Sequence, residues 1–397
     1  MSNSNARYFI WSNGLQNLGD QIVASKTVLP ALFNAAGVPA FFTGLLTPIR
    51  ESGSMLPQAA LTPWVTTHRA AKARSTTTPG QAISGAVIAL AAFFIRGAWL
   101  GVVVLLALAA LSLFRALCSI AGKDVQARTI SKGQRGRVTG SAAALGGGAT
   151  LLAGVILFLL GDLTISTMGI VLLVGASTWA IATWVFSHVE EPVPEGEQEG
   201  IDKSWWSDTW KLFTGDAQFR NFVIVRSLLL VSALSTAFIV LLHDDLSGIY
   251  GFVLASGLAS LVGGRVSGIF SDRSSKNTMA AGAAISSVII LLIVVSSHWA
   301  PDSVNAWVMP LGFFAVNLAH TAVRVARKTY VVDMAGGDKR TQYVGAANTM
   351  MGIILLIVGG ISSVIALAGP EAALIFLALV GFVGVWRAGS LKEVSRT

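Results

Sequence analysis

Apolar residues fill most of this chain in runs of about 20, and short polar stretches separate the runs. A run of that length matches one helix that crosses a bilayer. The pattern predicts an all-α membrane protein with twelve transmembrane helices, whose boundaries are good to about a few residues. The predicted spans lie at about 8–33, 39–62, 80–97, 99–120, 138–160, 165–187, 219–242, 248–270, 277–297, 304–326, 343–368 and 371–388.

The composition agrees with a membrane protein and excludes several other classes. Only 12% of residues are charged and 53% are hydrophobic, whereas soluble chains carry about 25% charged residues. The single cysteine, Cys118, excludes an intrachain disulfide. Phosphate-binding loops and nucleophile elbows are missing from the sequence, so an enzyme is not expected. No cofactor and no metal site are expected either.

The loops between the spans predict the orientation. Twenty-one of the 28 lysines and arginines fall in the two termini and in alternate loops, and the opposite loops hold only Arg96. Cytoplasmic loops carry such an excess of basic residues. We therefore predict a multi-pass protein of the cytoplasmic (inner) membrane with both termini in the cytoplasm. The net charge of +8 is attributed to loops that face anionic lipid, not to nucleic acid.

The longest loop divides the predicted spans six and six. It predicts an N-terminal six-helix bundle over 1–187, a cytoplasmic linker over 188–218 and a C-terminal six-helix bundle over 219–397. Within the linker, Ser204 is a suitable N-cap for a short helix whose tryptophans would lie at the lipid interface. The halves also align weakly with each other, 51–72 with 255–276 at an offset of 204 and 135–142 with 340–347 at 205. Such a duplication is common among transporters.

Twelve spans, the six-plus-six division and the loop Gly268-Ile-Phe-Ser-Asp272-Arg273 together resemble the major facilitator superfamily. The loop is similar to the Gly-x-x-x-Asp-Arg motif of that family. The resemblance implies two pseudo-symmetric bundles that transport a solute by alternating access. The sequence departs from the family pattern in the first half, where Trp64 and His68 stand in place of the motif's glycine and aspartate. The fifth span also lacks the Gly-Pro signature of drug–proton antiporters.

Polar residues inside the first two spans indicate a site at half-depth. Asn13, Asn17 and Asp20 share one helical face, which predicts a stripe that faces a cavity; a hydrogen-bonded packing stripe is the alternative. Arg50 and Glu51 lie in the middle of the second span, where a charge costs roughly 2.5–3.5 kcal/mol. We expect Arg50 to pair with Asp20, and Glu51 to be the less neutralised acid.

Asp20 and Glu51 are the candidate proton-coupling residues, and one of the two is predicted to exchange a proton during transport. Burial raises the pKa of a carboxylate, whereas a nearby arginine lowers it. A permanent structural ion pair is the alternative. Arg226 in the seventh span is expected to face Asn13 and Asn17, or else to pair with cytoplasmic carboxylates. The predicted substrate-binding residues are Asn13, Asn17, Arg50, Gln58, Arg226, Asn317, His320 and Asn348.

The other intramembrane cations are assigned to the edges of the bilayer. Arg327 and Lys328 are predicted to be interfacial, and Lys26 to extend its ammonium toward the outer interface. Arg115 is expected to form a gate ion pair with Asp124. The predicted cytoplasmic gate residues are Arg69, Arg115, Asp124, Asp272, Arg273 and Arg324.

The remaining arginines exceed the acids at half-depth, and arginine binds carboxylate or phosphate bidentately. The sequence therefore predicts a secondary active transporter, a monomer, that moves a small anionic solute and is proton-coupled. The alternatives are proton-coupled efflux of toxic compounds and a non-transporting receptor or scaffold with the same fold.

Overall fold

A computed structural model describes residues 3–58, 60–61, 70–129, 135–160, 164–190, 204–243, 248–334 and 340–394. The described residues are helical and include no strand, which confirms the all-α prediction. The helices are α1 Asn3–Ile22, α2 Val28–Ala35, α3 Ala40–Met55, α4 Ala70–Phe94, α5 Gly97–Thr129, α6 Arg135–Leu160, α7 Ile165–Phe186, α8 Trp205–Gly215, α9 Ala217–Leu228, α10 Val231–Leu241, α11 Ile249–Arg273, α12 Ser275–Trp299, α13 Asp302–Met334, α14 Arg340–Ile365 and α15 Pro370–Ala388.

Several helical stretches have the length and apolar character of membrane spans. Within the described residues there are seven of them: Gly97–Gly122, Ile165–Phe186, Ala217–Leu241, Ser275–Trp299, Asp302–Val331, Tyr343–Ala368 and Pro370–Ala388. Shorter apolar helices run over Pro79–Phe94, Leu145–Leu159 and Ile249–Gly263. Helices α1 and α3 fall outside both groups, and they carry Asp20, Arg50 and Glu51.

The first predicted span is broken in the structure. Helix α1 ends at Ile22 and α2 begins at Val28. Pro30 accounts for the break, because proline has no backbone N–H and its ring clashes with the carbonyl four residues earlier, that of Lys26. The break places Lys26 on irregular backbone between two helices, inside the region predicted to be one continuous helix.

The seventh predicted span is broken at a similar place. Helix α9 ends at Leu228 and α10 begins at Val231, although no proline or glycine lies between them. The backbone N–H of Ala233 donates to the carbonyl of Leu230 at 2.9 Å, a tight spacing typical of a 3₁₀ turn. As a result Arg226 lies in the last turn of α9 and Ser232 lies in the first turn of α10.

The helices of each half of the chain pack mainly on one another, and a few pairs join the halves. Helix α3 lies along α14, and α6 lies along α11. Both joints depend on glycine: a Cβ added at Gly352 would lie 2.7 Å from Cγ of Leu56, and one at Gly257 would lie 2.9 Å from Cδ2 of Leu151. Small residues allow helix backbones this close in membranes. The Nδ2 of Asn34 also joins the halves, since it donates to the carbonyl of His243 at 3.0 Å.

The short helix predicted in the linker is present as α8. Trp206 and Trp210 are 44% and 49% exposed and stack on each other, as suits a helix at a lipid interface. Ser204 precedes the helix, but its side chain caps no backbone N–H. Instead its hydroxyl donates to the carboxylate of Asp208 at 2.9 Å.

Asp216 joins α8, α9 and α14. Its Oδ1 accepts the backbone N–H groups of Gln218 and Phe219 at 2.8 and 3.0 Å, and its Oδ2 accepts the hydroxyl of Tyr343. It is therefore the N-cap of α9. Burial acts to raise the pKa of Asp216, but these hydrogen bonds outweigh burial and lower the pKa below its usual value.

Replacing Asp216 by alanine is expected to lower the free energy of unfolding by about 1 kcal/mol at neutral pH, because the first turn of α9 loses its cap. Denaturant unfolding in detergent measures this. Because folding lowers the pKa of Asp216, its contribution is complete above pH ~4 and disappears as pH falls through the folded-state pKa. The difference between the two proteins should therefore shrink in acid. Asp208→Ala, which alters an exposed acid of α8, is the control, and equal losses for both variants would contradict the assignment.

Candidate functional site

Asp20 is neutralised by two arginines from neighbouring helices. Nη2 of Arg50 lies 2.7 Å from Oδ1 of Asp20, and Nη2 of Arg115 lies 2.8 Å from Oδ2. Nη1 of Arg115 also donates to Oε1 of Gln16 at 2.8 Å. Gln16 and Asp20 are one turn apart on α1, so both face α5. The predicted pairing of Arg50 with Asp20 is confirmed. Arg115 also pairs with Asp20, and the side chain of Asp124, its predicted gate partner, lies outside the described residues.

A second polar chain connects the two halves of the protein. The carboxylate of Glu51 lies 3.9 Å from Nζ of Lys26, and this Nζ lies 3.2 Å from Nε2 of His320. Nδ1 of His320 lies 3.3 Å from the hydroxyl of Ser232. Because an ammonium group only donates hydrogen bonds, Nε2 accepts from Lys26 and Nδ1 carries the ring proton toward Ser232. The polar chain thus starts on α3, passes through the break between α1 and α2 to His320 on α13, and ends at Ser232 in the first turn of α10.

Arg226 and Arg327 are the two most buried cations of the region. Each is 6% exposed, and together with His320 and Ser232 they line one small cavity. Nη1 of Arg226 donates to the carbonyl of Ala347 at 3.3 Å. Among the residues that the structure describes, the Nε groups of Arg226 and Arg327 have no hydrogen-bond partner, and neither guanidinium has a carboxylate within 4.0 Å. Glu51 attracts Arg327 from a greater distance, whereas no described acid acts on Arg226.

Burying these two guanidinium groups with no described carboxylate in contact has an electrostatic cost. A buried charge without a partner is strongly destabilising, and removing one partner of a buried pair costs about 3–5 kcal/mol. Arg226 and Arg327 also repel each other. Two planar guanidinium groups beside one cavity form a site for an oxyanion, because each can donate two parallel hydrogen bonds to it.

Arg324 adds a further positive charge at the open side of the site. Its side chain is exposed, yet it interacts electrostatically with Glu51, Lys26 and His320. It therefore lies beside the polar chain and faces open space near it. Arg324 was assigned to the cytoplasmic gate, and its described neighbours are residues of the half-depth site instead.

The predicted substrate-binding amides donate to backbone carbonyls. Nδ2 of Asn13 donates to the carbonyl of Phe9, Nδ2 of Asn17 to that of Ala142, and Nδ2 of Asn317 to that of Phe313. Nε2 of Gln58 donates to the carbonyl of Ser54. The arrangement of Arg226 opposite Asn13 and Asn17 stays a prediction.

The other predicted residues can be placed only in part. Asn348 is half-buried and follows Ala347, the acceptor of Arg226. Arg273 is exposed at the end of α11. Arg69 and the side chains of Asp124 and Asp272 lie outside the described residues, so the predicted cytoplasmic gate stays a prediction.

Two predictions about cations are wrong. Lys26 does not extend to the outer interface, because its ammonium contacts Glu51 and His320. Arg327 is not interfacial, because its side chain is buried beside the cavity. Ser232 was missed altogether. The helix-breaking Pro30, four residues after Lys26, is the one sequence signal that could have indicated an inward role for Lys26.

Replacing Asp20 by asparagine leaves Arg50 and Arg115 without their counter-ion. We expect the free energy of unfolding to fall by about 3 kcal/mol, the lower end for a broken buried pair, because these side chains are still 14% and 23% exposed. Glu51→Gln is the matched control, with an expected loss of about 1 kcal/mol or less because its partner is 3.9 Å away. Denaturant unfolding in detergent compares the two; a larger loss for Glu51→Gln would show that the pairing is misjudged.

Comparisons with known proteins identify the fold. No protein-family model matches the sequence, and no curated protein is similar to it in sequence. Solved structures are similar over the whole chain. A D-xylose–proton symporter superposes with a TM-score of 0.72 at 10% identity, over 99% of this chain and 98% of that one.

Two further transporters agree with this result. A mutant of the nucleoside transporter NupG gives a TM-score of 0.70 at 13% identity, over 98% of this chain and 99% of that one. The inward-open xylose transporter XylE from E. coli gives 0.70 at 10% identity, over 98% and 96%. These structures are all transporters, in agreement with the prediction that the chain is not an enzyme. The chain is an integral multi-pass membrane protein with the fold of major facilitator superfamily transporters.

Proposed function

We propose that this protein is a secondary active transporter that moves a small anion through a central site formed by Arg226 and Arg327. The observation that supports the proposal is the burial of these two guanidinium groups with no described carboxylate within 4.0 Å of either one. A transporter needs a site whose charge is completed only when the substrate arrives. An anionic substrate would remove the electrostatic cost that the empty site carries.

The charge balance around the site supports an anion over a neutral solute. Among the described residues, the connected polar region holds two carboxylates, those of Asp20 and Glu51, and six cations: Lys26, Arg50, Arg115, Arg226, Arg324 and Arg327. Asp20 is fully engaged by two arginines, and Glu51 faces Lys26. Arg226, Arg324 and Arg327 therefore supply the charge that attracts the substrate.

The architecture suggests how the site is exposed to each side in turn. We infer twelve spans in two six-helix bundles, with 1–187 and 219–397 joined by the 188–218 linker. The contact of Lys26 with His320 joins the two halves at half-depth, so it must separate when the halves rock apart. The positive-inside pattern of the loops supports the inference that both termini lie in the cytoplasm and that the protein lies in the inner membrane.

Proton coupling is assigned to Glu51 rather than to Asp20. Two guanidinium groups lie 2.7 and 2.8 Å from the carboxylate of Asp20. Glu51 is 33% exposed, and its one described cationic partner within 4.0 Å is Lys26, at 3.9 Å, so a proton from water can reach it. Protonation would release Lys26 and weaken the chain that continues to His320. One structural neighbour is itself a sugar–proton symporter, and this adds support.

Substituting either buried arginine should weaken anion binding. We expect phosphate, sulfate or carboxylate anions to raise the melting temperature of the native protein, because a ligand of the folded state stabilises it. Arg226→Gln and Arg327→Gln should each lower the affinity for the stabilising anion roughly 10- to 100-fold, which is the free-energy contribution of one charged hydrogen bond. Arg327→Lys should restore part of the affinity, because it keeps the charge without the planar fork.

Arg387→Gln, at an exposed position at the end of α15, is the matched control and should bind as the native protein does. The proposed substrate class would be contradicted by two results together. No anion would stabilise the native protein, and a neutral sugar or nucleoside would stabilise the native protein and both glutamine variants equally.

Glu51→Gln should separate exchange from proton-driven uptake. In proteoliposomes loaded with the strongest anion from that screen, the variant is expected to retain counterflow but to lose acceleration by a pH gradient. The reason is that glutamine cannot carry a proton between the two sides. Asp208→Asn, on the peripheral helix α8, controls for general loss of an acid. Native transport that ignores both a pH gradient and a protonophore would contradict proton coupling.

A further inference from the structure

A groove on the second half of the protein has polar and apolar ends. It encloses about 550 Å³ between α11, α12 and α13, within the range of roughly 300–1,000 Å³ that is usual for ligand sites. It is separate from the central site. One end lies where α11 passes into α12, and the other end lies deeper along α12 and α13.

The polar end carries an exposed cation among hydrogen-bonding side chains. Arg273 ends α11, and Ser274, Asn277 and Thr278 follow at the start of α12. No carboxylate lies within 4.0 Å of Arg273 in the described part of the chain. The one nearby acid that is described, Glu393, accepts the hydroxyl of Ser274 at 2.5 Å. The guanidinium of Arg273 is therefore available to an external anionic group.

The deeper end is apolar and opens sideways. Phe270, Ile285, Phe314 and Leu318 line it. Phe270 and Ile285 are 55% and 51% exposed, so the groove opens on the surface that faces surrounding lipid in a membrane protein. A water-soluble ligand would have to cross hydrocarbon to enter from this side, whereas a lipid acyl chain is already there.

We propose that this groove is a binding site for an anionic phospholipid. The phosphate-bearing headgroup contacts Arg273 and the side-chain amide of Asn277 at the start of α12, and one acyl chain fills the apolar end. Basic pockets between transmembrane helices select anionic headgroups in this way. The site is independent of the central anion site, although Ala319 of the groove and His320 of the polar chain are adjacent residues of α13. A bound lipid therefore supports the helix that carries His320, Arg324 and Arg327.

Native mass spectrometry of the full chain in detergent tests this proposal. The probes are phosphatidylglycerol and phosphatidylcholine with identical acyl chains. The native protein should bind phosphatidylglycerol at least five-fold more tightly than phosphatidylcholine. Arg273→Gln should remove this preference, and Ala315→Phe, which fills the groove, should weaken binding of both lipids.

The controls are Arg387→Gln and Ala180→Phe, an exposed alanine of α7, and both should behave as the native protein. Size-exclusion chromatography establishes that each variant is folded, and either groove variant alone suffices for the test. Equal binding of the two lipids by the native protein would overturn the proposal, as would groove variants that match their controls. If Arg273→Gln loses the preference for phosphatidylglycerol but its melting temperature still rises with anion as in the native protein, the lipid site is independent of the central site.

Discussion

The structure depends on how charge is neutralised at half-depth in a membrane. A charged side chain there is costly, and this protein places six basic residues and two acids in one connected region. The acids are used fully: Asp20 joins α1, α3 and α5, and Glu51 holds Lys26 toward His320. What remains is positive charge on Arg226, on which no described acid acts, and on Arg327, which Glu51 attracts only from beyond 4.0 Å.

Two interrupted helices make this charge distribution possible. In a continuous helix the side chain of Lys26 would follow the helical face, but the break before α2 directs it toward Glu51 and His320. The break between α9 and α10 similarly brings Ser232 to His320. Interrupted helices are tolerated in membranes where the freed backbone groups line a cavity or meet protein. Irregular backbone and site therefore occur together.

Hydrophobic periodicity was enough to predict the all-α membrane fold, the helix in the linker and the pairing of Asp20 with Arg50. It failed where two side chains meet from distant parts of the sequence. Arg327 was placed at the interface because its depth was judged from the end of its own span, whereas α13 extends to Met334 and buries it. The pairing of Arg115 with Asp20 was missed because loop proximity favoured Asp124. Neither contact has a signal in local spacing, since each depends on how separate helices pack.

An experimental structure with an anion that can be located unambiguously tests the central claim most directly. Crystals grown with tungstate should show an anomalous-scattering peak within hydrogen-bonding distance of the guanidinium groups of both Arg226 and Arg327. A protein carboxylate that occupies this position, with no anion peak between the two arginines, would contradict the account.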